Sequence, residues 1–190
     1  MHFVLKAASM LLVLVTIPVL AQDAGSGNEF GAVDSKFGTV RSSNAVFIGG
    51  RGGWIFGGTY AVGIGGYLLV NDVPARVPDT AGNHRLMASY GGLDLEYVYP
   101  LSSSLHLTFQ TLIGGGAVGH TEDHYRNPRQ HYDPFFVLEP AINAYVTLSK
   151  IFSLGLGISY RLVGWLSSTA ATNADLSSLS LNVAVKAASF

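Results

Sequence analysis

The stretch Phe152-Ser-Leu-Gly-Leu-Gly-Ile-Ser-Tyr-Arg-Leu162 alternates large apolar residues with Ser, Gly and a single Arg. Successive side chains of a β-strand point to opposite faces, so this segment has one broad apolar face and one narrow polar face. The pattern recurs elsewhere. Leu105, Leu107, Phe109, Thr111 and Ile113 lie opposite His106, Thr108, Gln110 and Gly114. Near the end of the chain, Leu179, Leu181, Val183 and Val185 oppose Ser180, Asn182, Ala184 and Lys186.

Working outward by this period predicts eight strands, at 30–40, 45–56, 58–70, 85–99, 105–118, 135–148, 152–165 and 177–188. The segment 30–40 alternates imperfectly, but connection lengths support it. The links at 56–58, 100–104 and 149–151 are short, whereas those at 71–84, 119–134 and 166–176 are longer. Outer-membrane barrels have short periplasmic turns, long outer loops and, in single bacterial chains, an even strand number. With eight strands and a periplasmic amino terminus, all three short links fall on the periplasmic side; seven strands would invert the pattern.

The faces decide between a soluble and a membrane barrel. A lipocalin-type barrel keeps apolar residues inside and presents Lys and Glu to water. Here charged residues are 12% of the sequence, about half the usual share of ~25%. Apolar residues are 48%, and the polar faces are mostly Gly, Ser, Thr and Ala. Small polar residues suit the interior of an eight-stranded barrel, where side chains fill the lumen. The predicted fold is therefore all-β: an eight-stranded antiparallel up-and-down transmembrane β-barrel located in the cell outer membrane.

Lys6 precedes an apolar run from Met10 to Val19 that ends at Val19-Leu20-Ala21. This matches a secretory signal cleaved before Gln22. The domain reading is a signal peptide at 1–21, a flexible polar lead-in at 22–29 and the barrel at 30–190. The chain has no cysteine, so disulfides and thiolate metal sites are excluded, and the formal charge of −1 gives no reason to expect nucleic acid.

Aromatic girdles mark the water interfaces of such barrels. In this register Trp54, Tyr60, Tyr97, Tyr99 and Phe152 cluster near the periplasmic ends, while Tyr160 and Trp165 lie toward the outer rim. Closing the hairpin around Lys150 pairs positions that sum to about 300, which sets Glu139 opposite Arg161 across the polar interior. Asp94 and Glu96 share the polar face of the fourth strand, and Arg51 points to that of the second. Charges that face inward persist when paired, so these five residues are read as a lumen ionic network that fixes register. The competing reading is a gate or proton-linked site.

Three further motifs bear on chemistry. The loop His120-Thr-Glu-Asp-His-Tyr-Arg-Asn-Pro-Arg-Gln-His-Tyr-Asp133 holds His120, His124 and His131. A four-residue spacing of His suits zinc on a helix, but Pro128 interrupts a segment with no helical signal, and a solvated outer loop is the reading. The clusters Gly49-Gly-Arg-Gly-Gly53, Gly63-Ile-Gly-Gly66 and Gly114-Gly-Gly116 lack the strand-to-helix setting of a phosphate loop and read as sites of bending and close packing. Ser43-Asn44-Ala45 resembles the end of the His-x-Ser-Asn-Ala motif of lipid A deacylases. Arg41 stands where that motif has His, and the motif would fall near the wrong end of the chain, so the serine has no adjacent base to activate it.

Phe47-Ile-Gly-Gly-Arg-Gly-Gly-Trp-Ile55, Gly91-Gly-Leu-Asp-Leu-Glu-Tyr97, Thr111-Leu-Ile-Gly-Gly-Gly116 and Phe136-Val-Leu-Glu-Pro140, with Ser159-Tyr-Arg161, resemble small porin-like outer-membrane β-barrel proteins of the OmpA/OmpX type. The resemblance runs from about Phe30 to Phe190. It implies the barrel and its location, and brings no substrate, cofactor or catalytic residue. Such barrels often end in an aromatic in phase with the apolar face, a signal for the insertion machinery. Phe190 supplies the aromatic, yet it shares its parity with Lys186 and Ala188. The functional expectation is a structural or surface-interaction role in the envelope, with no cofactor. Its expected partners are outer-membrane lipid, the insertion machinery and an extracellular partner at the loops. A narrow channel for very small solutes stands second, and a lipid-modifying enzyme third.

Overall fold

The computed structural model describes residues 28–75, 85–121, 132–168 and 170–188. The predicted signal sequence, His124, His131 and Phe190 lie outside the described residues. Eight strands follow in chain order: β1 (Glu29–Val40), β2 (Ser43–Phe56), β3 (Tyr60–Leu69), β4 (Arg85–Pro100), β5 (Leu105–Thr121), β6 (Tyr132–Thr147), β7 (Phe152–Gly164) and β8 (Ser178–Ala188). A one-turn helix, α1 (Asn173–Leu176), precedes β8. Each strand pairs antiparallel with the next, and β1 pairs with β8, giving a closed up-and-down barrel.

Most boundaries move by one to three residues from the sequence reading; β2, for example, starts at Ser43 and β3 at Tyr60. β1 starts at Glu29, paired with Trp54, so the lead-in is one residue shorter. β5 and β6 stay paired up to Gly119↔Tyr132, which raises the wall there and shortens the predicted 119–134 connection. The predicted 166–176 loop contains α1, whose Thr172 and Asp175 cap each other's backbone N–H groups.

Two hairpins turn tightly. Arg41 and Ser42 both take left-handed backbone, with φ of 52° and 61°. Two successive left-handed residues give the mirror-image turn whose twist matches the flanking strands. Gly57 and Gly58 do the same between β2 and β3, with φ of 58° and 67°. Both chain ends of the barrel and the β2–β3, β4–β5 and β6–β7 turns lie at one end; the three longer connections lie at the other, together with the two-residue Arg41–Ser42 turn.

Burial alternates along the strands and is inverted relative to a water-soluble barrel. Ile64, Leu93, Ile113, Ile142, Leu156 and Leu181 all face outward and are exposed, Ile64 by 72%. Arg161, Lys186 and Glu139 are among the most deeply buried side chains. Such a wall is stable only against hydrocarbon, and closure leaves no strand edge unpaired within it.

The lumen is filled by placing large residues opposite small ones. Tyr145 pairs in register with Gly155, and Tyr67 with Gly49. A Cβ at Gly155 would stand 2.4 Å from the Tyr145 ring, and one at Gly49 would stand 2.4 Å from that of Tyr67. The glycine beside Leu154 in the opening stretch is thus the recess that admits a lumen tyrosine. We predict that Gly155→Val destabilises the barrel by about 1–3 kcal/mol through overpacking. The check is gel mobility with and without boiling: the parent chain shifts on boiling, and the variant should lose its compact form at lower temperature.

Candidate functional site

The candidate site is the lumen, where every strand contributes to one connected polar network. Among the described residues, eight charged side chains are buried: Asp34, Asp94, Glu96 and Glu139 against Lys36, Arg51, Arg161 and Lys186. Four of each sign make the interior neutral. A buried charge persists only with a partner and hydrogen bonds, and the geometry provides both.

Arg51 is the hub. From β2 its Nε donates to Asp34 Oδ2 of β1 at 3.1 Å, and its Nη2 donates to Tyr145 Oη of β6 at 2.6 Å. Its Nη1 reaches β4, donating to Asp94 Oδ2 at 3.3 Å and also to Glu96. Lys186 of β8 donates to the other oxygen of Glu96. Asp94 accepts from Gln110 Nε2 of β5 at 2.7 Å, Gln110 Oε1 accepts from Asn143, and Asn143 Oδ1 accepts from Asn182. Ser159 of β7 lies 3.1 Å from Asn182 Oδ1 and donates to Glu139 Oε1 at 2.8 Å. Glu139 pairs with Lys36 Nζ at 2.9 Å. Tyr67 of β3 joins through a long 3.4 Å bond to Asp34.

All five charges assigned to the lumen from sequence, Arg51, Asp94, Glu96, Glu139 and Arg161, are buried there. Glu139 and Arg161, expected to pair, form no direct ion pair; Tyr90 hydrogen-bonds both and stands between them. The register is as inferred, since Leu138↔Leu162 and Ala141↔Ser159 are partners. The ion partner of Glu139 is instead Lys36, reaching across the narrow lumen. Arg161 turns toward the loop-bearing end: its Nε donates to Leu176 O at 2.8 Å, its Nη2 donates to Ser178 Oγ at 3.1 Å, and its guanidinium lies 4.2 Å from the Phe47 ring centroid.

Sequence reasoning missed Asp34, Lys36 and Lys186 as network members. Asp34 and Lys36 have the inward parity of Phe30 and Ala32, and Lys186 that of Ser180, so alternation carried the signal for each.

Apolar clusters close both ends of the network. Phe30, Ile55, Ala61 and Ala188 pack at the short-turn end. At the other end Ala170, Ala171 and Leu176 of the β7–β8 connection pack among residues that include Val40, Phe47, Val73, Val118 and Val137.

Outside, all seven girdle residues are exposed: Trp54, Tyr60, Tyr97, Tyr99 and Phe152 toward the short-turn end, Tyr160 and Trp165 toward the loops. Trp165, 84% exposed, stacks at a tilt on Phe136 at 5.2 Å. Gly50, Gly66, Gly91 and Gly115 stand in one cross-strand row, the floor of an outer-wall groove of about 460 Å³. The glycine clusters lie within strands and open no helix. His120 is in β5, and no group of three or more His, Cys, Asp or Glu suited to a metal occurs among the described residues. Ser43 begins β2 at the rim, two residues after Arg41.

An apolar outer wall, aromatic bands and a polar, side-chain-filled lumen within a closed eight-stranded barrel define the class: this is the fold of the small outer-membrane β-barrels. Among solved structures, the chain is similar to Neisserial surface protein A, with a TM-score of 0.61 and 11% identity over 87% of this chain and 98% of that one. It is also similar to the amino-terminal β-barrel domain of Pseudomonas aeruginosa OprF, with a TM-score of 0.55 and 8% identity over 85% and 98% of the two chains. Ail, the attachment invasion locus protein of Yersinia pestis, gives a TM-score of 0.51 and 8% identity over 87% and 100%. No protein-family model and no curated protein sequence matches the chain.

Removing one partner of a buried pair leaves the other uncompensated, at a cost of about 3–5 kcal/mol. Lys36→Met should lower stability by about that amount, and adding Glu139→Gln should recover much of the loss. Urea unfolding in lipid vesicles measures both; equal losses in the single and double variants would show that the pair is not coupled.

Proposed function

We propose that this chain resides in the outer membrane and serves there as a structural or surface-interaction protein, acting through its loop-bearing end and not by conduction or catalysis. The observation that carries this reading is the filled lumen. Its eight charges neutralise one another, Arg51 alone occupies the middle with four hydrogen-bond partners, and apolar residues pack at both ends. A solute would have to displace these ion pairs and the side chains that carry them.

The apolar wall and aromatic bands suit surrounding lipid. Short turns at one end and long connections at the other suit a periplasmic and an external side respectively. Insertion machinery would act during assembly, and an extracellular partner would meet the loops. Two of the similar structures are named as a surface protein and an attachment invasion locus protein, which fits a role at the cell exterior. Catalysis has little support, because Ser43 follows Arg41 and no base stands beside it in sequence.

Planar-bilayer recording tests the reading. The purified barrel should give no discrete openings above the bare-bilayer baseline. Reproducible single-channel steps would overturn the closed-lumen reading and favour the narrow channel.

A further inference from the structure

The glycine floor of the outer-wall groove follows a track set by the stagger of the barrel. From Gly164 at the loop end of β7, successive strand partners are Phe136, Gly115, Gly91, Gly66, Gly50, Val33 and Val185. The row then returns to β7 at Leu154, ten residues nearer the short-turn end, so it spirals down the wall. With strands about 4.8 Å apart and tilted by about 40°, it drops about 3 Å per strand. From Gly164, beside Trp165 of the aromatic band, to Gly50 the drop is about 15 Å, half of the hydrocarbon thickness of about 30 Å. The four glycines thus lie in the acyl region of the loop-side leaflet.

Lumen packing does not explain the whole recess. Gly91 has no room for a side chain, since a Cβ there would stand 2.6 Å from Gly65 O. At Gly66 a Cβ would meet nothing nearer than Tyr90 O at 3.8 Å, an ordinary contact. Glycine weakens a strand, so its presence at 66 answers no demand of the barrel itself. Two residues toward the short turns, the exposed side chains of Ile64, Leu93 and Ile113 form a parallel bank, and Ile48 and Leu68 line the other side. The volume of about 460 Å³ falls within the range of ligand sites, roughly 300–1,000 Å³.

Positive charge stands above the track. β4 carries Arg85 on its outward face six residues from Gly91, about 20 Å along the strand and therefore just beyond the level of Trp165. Pro74 links Arg85 to Arg41: it bridges Arg85, and its carbonyl accepts from Arg41 Nη1 at 2.6 Å. Arg85 Nη1 also donates to Asp72 Oδ1 at 3.0 Å, an exposed pair and hence a weak one.

These features select the occupant. In a second copy related by a twofold along the membrane normal, the two tracks would cross at nearly a right angle, because each runs about 50° from that normal. No ridge of one copy could then lie along the groove of the other. A flexible chain follows the track without this conflict, and two guanidiniums at headgroup level suit a phosphate.

We propose that the groove binds one phosphate-bearing lipid of the loop-side leaflet, with an acyl chain laid along Gly115, Gly91, Gly66 and Gly50 and the phosphate at Arg85 and Arg41. The inference rests on the membrane placement given above and names the one place where the wall holds a lipid specifically.

The purified barrel in detergent is titrated with dioleoyl phosphatidic acid or with dioleoylglycerol, which lacks the phosphate, and bound lipid is counted by native mass spectrometry. The parent should bind one phosphatidic acid saturably, and dioleoylglycerol at least about tenfold more weakly. Gly66→Leu, which fills the track, should weaken phosphatidic acid binding by about tenfold. Arg85→Gln should remove most of the preference for the phosphate, and Leu181→Phe, on the far wall, should bind as the parent does. Should Gly66→Leu lose its shift on boiling, Gly66→Ala replaces it, with a smaller loss expected. Undiminished binding in a Gly66 variant that still shifts on boiling would overturn the proposal, as would equal binding of the two lipids, an equal loss in Leu181→Phe, or no saturable binding. Lipid-free dimers dissolved by Gly66→Leu would overturn it in favour of a second copy. Recovery of the parent in the soluble fraction would instead overturn the membrane reading itself.

Discussion

A guanidinium buried in the middle of a narrow barrel has to find its counter-charges within arm's length, and Arg51 finds them on strands on both sides of its own. Asp34, Asp94, Glu96 and Tyr145 converge on it from β1, β4 and β6. The attraction within such a group roughly offsets the cost of withdrawing the charges from water, so the net stabilisation is modest. The penalty for misplacing one member is not. A strand shifted by one residue would turn its charges into hydrocarbon and its leucines into the lumen, so the geometry around Arg51 permits one register.

The wall enforces the same solution from the other side. Outward apolar residues have no core to join and gain their place from lipid. Inward positions must share a space just wide enough for side chains. Tyrosine opposite glycine, as at Tyr145↔Gly155 and Tyr67↔Gly49, divides that space between facing strands. Those same tyrosines carry hydroxyls that reach Arg51 and Asp34, so the packing pairs and the polar network share members.

Most of this architecture was legible in the sequence because its controlling variable, the side a residue faces, is written with a period of two. Strand number, pairing order and the inward direction of Arg51, Asp94, Glu96, Glu139 and Arg161 all follow from it. Asp34 and Lys36 were obscured because the outward face of their strand includes Gly31 and Ser35 beside Val33 and Phe37, leaving the two faces poorly contrasted. The partner of Glu139 was illegible for another reason: strand register fixes backbone neighbours, whereas long Lys and Arg side chains choose by reach across the lumen. The packed β7–β8 connection left a faint signal in Ala170-Ala171 and in the Thr172 and Asp175 spacing. Each is too short to be distinguished from an ordinary loop.

The network also constrains how the barrel comes into being. Arg51 and Glu96 are 45 residues apart, Lys186 and Glu96 are 90 apart, and Arg51 and Tyr145 are 94 apart. No isolated hairpin contains these pairs, so although Arg51 meets Asp34 within the β1–β2 hairpin, a partly assembled sheet leaves Glu96 and Lys186 without their counter-ions. Contacts so distant along the chain form late and slowly, and bare charges are costly in hydrocarbon. The same neutrality that closes the finished interior therefore opposes strand-by-strand entry into the bilayer, and favours closure and insertion as one cooperative event.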